Sequence, residues 1–192
     1  MRSQLRVIKA DGGVEPYLHT KVMGTVNAAL GRVGRADVYL AEQLADVVTY
    51  YLYHEGRRSR VASSEILSMV KVVLSSTGHE DAAAALSEHH YERQLKRRRI
   101  EVAPIDVEGV EDAALLWNGG ADGRQPWEKG RIVRDLVDKH GLAPETARTI
   151  ASMVEEKVFG MGMRVVPSSL VRQLVLGDTA AVLHAEQALA TA

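Results

Sequence analysis

Residues 7–16 read VIKADGGVEP: a short apolar run, a lysine, an Asp-Gly-Gly sequence and a short return. Asp-Gly between apolar flanks is typical of a tight β-hairpin, because glycine readily adopts the positive φ that such turns need. We therefore predict a hairpin whose first strand carries Val7 and Lys9 and whose second strand reaches Glu15. Alternate residues of a strand share a face, so Val7 and Lys9 are expected on the same side.

The composition is that of an ordinary globular chain. It has 192 residues, 46% hydrophobic and 26% charged, which suits one or two small domains. A net charge of −1 gives no overall attraction to nucleic acid or membranes. The absence of cysteine excludes disulfides, cysteine-ligated metal centres and cysteine nucleophiles. The amino-terminal residues lack the apolar core of a signal peptide, and no apolar run approaches ~18 residues, so we expect a cytoplasmic protein.

Helical periodicity follows the predicted hairpin. In the first half we predict four helices, the last covering about 80–99. Asp37 and either Ser63 or Ser64 are predicted helix N-caps, and the stretch 57–60 is predicted to be a loop. In the second half we predict helices over 127–140, 145–159 and 168–176, and another from about 178.

The two halves of the chain resemble each other. TKVMGTVNAAL (20–30) lines up with EKGRIVRDLV (128–137), AEQLADVV (41–48) with ARTIASMV (147–154), and VASSEILSMV (61–70) with VPSSLVRQLV (166–175). This alignment pairs Ala41 with Ala147 and Ser63 with Ser168. A repeat this long indicates a duplicated domain rather than a solenoid. We predict a first domain over 1–99, an acidic linker over 100–113 and a second domain over 114–192.

Lys9, Glu15 and Lys21 surround the glycine-rich turn. Two ammonium groups there could hold phosphates, helped by the N–H groups of the turn and by the positive end of the following helix. Glu15 could accept a hydrogen bond from a base amino group or a ribose hydroxyl, and Val7 could pack on a purine. A second interpretation stays open, because an edge-strand lysine is often solvated and guards against strand pairing.

The segment VIKADGGVEPYLHTKVMGTVNAAL resembles the opening of the ATP-cone domain. The resemblance continues through LAEQLADVV, VASSEILSMV and GHEDAAAALSEHHYERQLKRR and spans about residues 5–97. ATP-cones are regulatory domains, best known at the amino terminus of ribonucleotide reductases and in the repressor of their genes. The resemblance implies ATP or dATP, with Mg²⁺, bound between a small β cap and a four-helix bundle. The expected fold is mainly α with a small β-hairpin cap, arranged as tandem ATP-cone-like helical bundles.

The resemblance also implies individual roles. Val7 matches the apolar base contact, and Lys9 and Lys21 match the phosphate-side lysines. Glu15 matches the acid near the base and sugar, and Ser63 stands where a Thr or Ser faces the phosphates. The full implied nucleotide-binding set is Val7, Lys9, Ala10, Asp11, Gly12, Glu15, Lys21, Ser63 and Arg93; no catalytic residue or metal ligand is implied.

Several positions depart from the ATP-cone pattern or are predicted to be structural. Arg93 matches a basic residue of the last helix, but position 10, commonly Arg or Lys, is Ala10. Losing one charge-assisted phosphate contact costs about 1.5–3 kcal/mol, which implies weakened binding. Leu86 and the pair His89-His90 replace the family's common Tyr and Tyr-Arg. The run 96–99 is predicted to complement the dipole of its helix and to remain solvated, with contact to nucleic acid as the less favoured alternative.

The second half retains the helices and loses the phosphate-binding residues. The alignment places Trp117, Gly119 and Gly123 opposite Lys9, Asp11 and Glu15, and leaves only Lys129 opposite Lys21. We interpret this half as a degenerate cone that contributes packing or a partner surface. An unrelated small helical domain is the alternative.

These features predict a non-catalytic sensor that binds ATP or dATP and changes its self-association or its association with a partner, such as a ribonucleotide reductase-related protein. The sequence carries no Gly-x-Ser-x-Gly or Walker A motif that would indicate an enzyme. Two alternatives stay open. One is a transcriptional regulator related to the reductase repressor, although the Cys₄ zinc ribbon of that class is missing. The other is an inert helical assembly protein whose cone has lost its ligand.

Overall fold

A computed structural model describes residues 5–54, 59–104 and 123–191. The protein is mainly helical with small β elements, as predicted. The β elements are three-stranded sheets, whereas the sequence predicted hairpins. It divides into two compact units, Met1–Glu92 (unit 1) and Arg93–Ala192 (unit 2). The division falls inside a helix, whereas the sequence predicted a first domain ending at residue 99. In the described part of the chain, no helix combines the length and apolarity needed to cross a membrane.

Unit 1 contains a three-stranded sheet and helices. Its elements are β1 (Arg6–Ile8), β2 (Val14–Pro16), α1 (His19–Arg32), α2 (Val38–His54), β3 (Arg60–Ala62), α3 (Ser63–Ser76) and the first part of α4 (Glu80–Arg99). β1 lies in the centre, antiparallel to β2 and parallel to β3. The hairpin is therefore confirmed. The predicted loop over 57–60 is wrong at Arg60, which begins β3; residues 57 and 58 lie outside the described residues.

The β1–β2 turn fixes the position of Lys9. Gly12 has a φ of +80°, which favours glycine. The backbone N–H of Lys9 donates to the Gly13 carbonyl at 2.8 Å, and the Asp11 carboxylate accepts from the Gly13 N–H at 3.0 Å. Lys9 therefore lies at the end of β1, beside the turn.

The helices of unit 1 begin for different reasons. Asp37 caps α2 as predicted, since its carboxylate accepts from the backbone N–H groups of Tyr39 at 2.9 Å and Leu40 at 3.1 Å. The predicted cap at Ser63 or Ser64 is wrong. Ala62 holds the N-cap position of α3 and makes no side-chain hydrogen bond, because β3 runs directly into the helix.

Unit 2 repeats this arrangement. After the end of α4 it contains β4 (Glu101–Ala103), β5 (Gln125–Pro126), α5 (Lys129–His140), α6 (Pro144–Met161), β6 (Val165–Pro167) and α7 (Ser168–Ala190). β4 is central, antiparallel to β5 and parallel to β6. The predicted linker over 100–113 is wrong at Glu101–Ala103, and residues 105–113 lie outside the described residues. The predicted helix break near 177 is also wrong, since Gly177 lacks the positive φ that ends α5 at Gly141 and α6 at Gly162.

The predicted correspondence between the units holds at two pairs. Ser63 and Ser168 each follow the third strand and begin a helix. Ala41 and Ala147 are both fully buried and occupy the same place in the second helix of their units. Both pairs are therefore confirmed.

The strand register corrects the rest of the alignment. Glu15 lies opposite Val7 and Gln125 lies opposite Val102, so Gln125, and not Gly123, takes the place of Glu15. The correspondence of Lys129 with Lys21 is wrong in the same way: Arg131 stands in that place, two residues further on. The backbone N–H groups of Lys21 and Arg131 both donate to the residue three positions earlier, each at 3.1 Å. Pro104 follows β4 as Lys9 follows β1, so Pro104 takes the place of Lys9. Trp117 and Gly119, which the alignment placed opposite Lys9 and Asp11, lie outside the described residues.

Candidate functional site

A cavity of about 150 Å³ lies in unit 1 between its sheet and the first two turns of α1 and α3. Five residues of the predicted nucleotide-binding set line it: Val7, Lys9, Glu15, Lys21 and Ser63. These residues come from β1, β2, α1 and α3, so the fold brings together side chains that are up to 56 positions apart in the sequence. The cavity is therefore the candidate functional site of the chain.

The charged part of the cavity is built around Glu15. This side chain is only 4% exposed, and its two carboxylate oxygens contact Lys9 Nζ at 2.6 Å and Lys21 Nζ at 3.2 Å. Burial of Glu15 opposes its ionisation, but the hydrogen bonds and charges of Lys9 and Lys21 outweigh burial and hold its pKa below the ordinary value. The Glu15 carboxylate is therefore ionised near neutral pH.

Much of the remaining lining of the cavity is apolar. Val7, Val22, Ile66, Leu67 and Val70 line it, and Val7, Val22 and Val70 are almost completely buried. Branched aliphatic side chains of this kind give a dry surface on which a flat ring can pack. Pockets for whole drug-sized ligands measure roughly 300–1,000 Å³. A cavity of about 150 Å³ thus suits one ring system, with the remainder of a larger ligand lying across its opening.

Two helices begin at this cavity. Lys21 lies in the first turn of α1, and Ser63 is the first residue of α3. Neither helix has a side-chain hydrogen bond from its N-cap residue, so cap side chains do not compete for the first N–H groups. Helix N-termini favour anions, which adds to the two ammonium groups on the charged side.

The other predicted site residues lie elsewhere. The β1–β2 turn contains Ala10, Asp11 and Gly12, which are exposed. These three residues follow Lys9 in the chain but do not line the cavity. Arg93 does not line the cavity. Its guanidinium pairs with the carboxylates of Glu155 and Glu156 in unit 2 and lies 5.2 Å from the ring centre of Phe159.

Glu155 is the centre of a charged cluster that the sequence analysis missed. Its side chain is fully buried, and Arg97 donates to both carboxylate oxygens at 2.8 Å. Trp127 Nε1 donates at 3.2 Å, and Lys129 Nζ lies at 3.5 Å. Burial works against ionisation, but these donors and charges outweigh it and lower the pKa of Glu155 to about 2. The prediction that the run 96–99 stays solvated is therefore wrong at Arg97.

The internal repeat relates the position of Glu155 to a position in unit 1. Glu155 lies eight residues after Ala147, and Thr49 lies eight residues after Ala41, so the two occupy equivalent positions in α6 and α2. In unit 1 the Thr49 hydroxyl contacts Tyr17 Oη at 2.7 Å and His19 Nδ1 at 3.0 Å. The partial burial of Thr49 is seen only in the structure, so the sequence showed the equivalence of the two positions and did not mark Glu155 as buried.

Unit 2 has a cavity at the equivalent place with a different lining. It measures about 460 Å³ and is lined by Val102, Arg131 and Ser168, among others. Gln125 and Pro104 replace the carboxylate and one of the lysines of unit 1, and Arg131 donates to the Gln125 side chain. Within the described residues, the lysine–carboxylate–lysine arrangement therefore belongs to unit 1.

Two further findings bear on function. In the described part of the chain, no three His, Asp or Glu side chains are grouped so that they could hold a metal ion. No known family model matches the chain, and no curated protein sequence is significantly similar to it.

Proposed function

We propose that unit 1 binds an adenine nucleotide, ATP or dATP, and that the protein acts as a non-catalytic nucleotide sensor. The observation that carries this proposal is the lining of the unit 1 cavity, where Lys9 and Lys21 stand beside an apolar surface containing Val7. A ligand that fits such a site combines a flat ring, which can pack on aliphatic side chains, with several negative charges. A nucleotide has this form.

Different residues of the cavity would contact the base and the phosphates. Val7, Val22 and Val70 would pack on the base, and Lys9, Lys21 and the start of α3 at Ser63 would face the phosphates. Mg²⁺, which the ATP-cone resemblance implies, would neutralise part of the phosphate charge as it enters with the nucleotide. The same resemblance supports adenine over other bases and supports a regulatory role.

Calorimetric titration of the protein with ATP, dATP, ADP and GTP, each with Mg²⁺, tests the proposal. We expect one site per chain and weaker binding of GTP. If neither ATP nor dATP gives heat or a thermal shift at millimolar concentration, the sensor proposal is wrong.

Ala10 offers a gain-of-binding test. It is exposed in the β1–β2 turn next to Lys9, so a long basic side chain there can extend toward the phosphates. We expect Ala10→Arg to tighten Mg·ATP binding about tenfold, the effect of one charge-assisted contact of about 1.5 kcal/mol. Ala10→Gln, which is long but uncharged, is the control. Equal affinities of the Arg variant and the unaltered protein would show that position 10 does not face the phosphates.

The sensor role makes a separate prediction about association. A protein without turnover acts through the differential affinity of its ligand for two states, with a coupling of about 1–3 kcal/mol. We expect Mg·ATP or Mg·dATP to shift the sedimentation velocity profile at micromolar protein, without phosphate release. Steady phosphate release that Lys9→Ala removes would instead make the protein an enzyme. Proven binding with an unchanged profile would exclude self-association as the output.

A further inference from the structure

Glu15 forms ion pairs with both lysines of the unit 1 cavity. Its carboxylate lies 2.6 Å from Lys9 Nζ and 3.2 Å from Lys21 Nζ, with the side chain 4% exposed. The side chains of Lys9 and Lys21 are 29% and 48% exposed, so both are accessible from solvent while the carboxylate between them is buried. Without a ligand, each cation therefore has an anionic partner inside the protein.

Unit 2 shows that the fold does not need a carboxylate at this position. Gln125 stands where Glu15 does, opposite the central strand of its sheet. Its side-chain oxygen accepts a hydrogen bond from Arg131, which stands where Lys21 does. The contact between the second strand and the first helix is thus retained without the negative charge. The carboxylate is found in unit 1, which has the lysine pair. In unit 2, where Pro104 takes the place of Lys9, the equivalent side chain is the uncharged Gln125.

The charge has a physical consequence for any anion that enters. A carboxylate at 2.6–3.2 Å from an ammonium group cancels much of the field that the ammonium group presents to another anion. A phosphate must then share or displace the carboxylate at each lysine. Repulsion between the two anions grows with the number of phosphate charges.

We propose that Glu15 is an internal competitor for Lys9 and Lys21 and thereby sets the anion affinity of the site. Its carboxylate neutralises the lysines when the cavity is empty, and a polyphosphate binds by taking over one or both ammonium groups. This inference rests on the proposed function, because it concerns the same cavity. It differs from the role that the ATP-cone resemblance implies for Glu15, which is contact with the base and sugar.

The test uses Glu15→Gln, the same exchange that distinguishes the two units. Inorganic tripolyphosphate is the first probe, since it has neither base nor sugar, and Mg·ATP is the second. By calorimetry at low salt, we expect the variant to bind tripolyphosphate about tenfold more tightly than the unaltered protein. Glu42→Gln, an equal charge change at an exposed position of α2, should leave both affinities unchanged. Glu15→Met, similar in length and uncharged, should also bind tripolyphosphate more tightly, which provides a second variant if Glu15→Gln does not fold.

The outcomes separate this inference from the proposed function. Equal or weaker binding of tripolyphosphate by a folded Glu15 variant would overturn the competitor role. Weaker binding of ATP with unchanged binding of tripolyphosphate would also overturn it, and would place Glu15 at the base or sugar while leaving the proposed function intact. If the unaltered protein and both variants bind neither probe, the proposed function is wrong and the competitor role is wrong with it.

Discussion

Replacing both Lys9 and Lys21 by alanine is expected to abolish ATP binding. Each ammonium group would supply a charge-assisted contact worth about 1.5–3 kcal/mol, so the pair accounts for about 100-fold or more in affinity. The two side chains line one cavity, Lys9 from the residue after β1 and Lys21 from α1, and unit 2 carries a proline in place of Lys9. Calorimetric titration with Mg·ATP measures the effect.

The double lysine variant requires a control for folding, because it leaves the Glu15 carboxylate buried without its two cationic partners. An unpaired buried charge costs several kcal/mol, so loss of binding in that variant could reflect loss of structure. The triple variant, Lys9→Ala with Lys21→Ala and Glu15→Gln, removes that charge and should stay folded without binding. Arg131→Ala, at the place of Lys21 in unit 2, should bind ATP normally. ATP binding by the folded triple variant with near-normal affinity would contradict the site assignment.

Glu155→Gln is expected to destabilise unit 2 by about 3–5 kcal/mol. Removing one partner of a buried ion pair leaves the other uncompensated, and here Arg97 donates to both carboxylate oxygens at 2.8 Å. Glu156→Gln is the matched control. The Glu156 carboxylate also pairs with Arg93 but its side chain is 60% exposed, so removing this charge should cost about 1 kcal/mol or less. Urea unfolding followed by tryptophan fluorescence reports on unit 2, which contains both tryptophans. Similar costs for the two variants would contradict the central role of Glu155.

The same cluster predicts an acid sensitivity. The pKa of Glu155 is lowered to about 2 in the folded protein from an ordinary 4.5. A group with a depressed folded-state pKa stabilises the protein fully above its unfolded pKa, and this contribution, about 3 kcal/mol here, is lost as the pH falls from about 4.5 toward 2. Unit 2 should lose stability over this window. The Glu155→Gln variant should lose markedly less, because glutamine does not titrate.

The predictable part of the fold is the part that depends on local sequence. Asp11-Gly12-Gly13 specifies a turn by its own conformational preferences, and the 3.6-residue pattern of the helices is visible within a few turns. β3 and β4 were missed for the opposite reason. Each has three residues, and each is a strand because it pairs with residues distant in the sequence, as Arg60–Ala62 does with β1. Short strands beside Arg-rich or Pro-containing sequence look like loops.

The site could be predicted in part for a similar reason. Lys9, Glu15 and Lys21 lie within 13 consecutive positions, so a hairpin followed by a helix is enough to bring them together. The pairing of Arg93 and Arg97 with Glu155 depends on how α4 packs against α6, which no local pattern specifies. An arginine-rich helix end looks solvated unless a buried acid elsewhere in the chain is already known.

Backbone NMR of the ¹⁵N-labelled protein titrated with Mg·ATP tests the central claim most directly, because it reports binding and its location together. The predicted result is that the largest amide shifts occur in unit 1 at Val7, Lys9, Lys21 and Ser63, and that Lys9→Ala with Lys21→Ala removes them. Shifts confined to the equivalent residues of unit 2, Val102, Arg131 and Ser168, or no shifts at millimolar nucleotide, would contradict it.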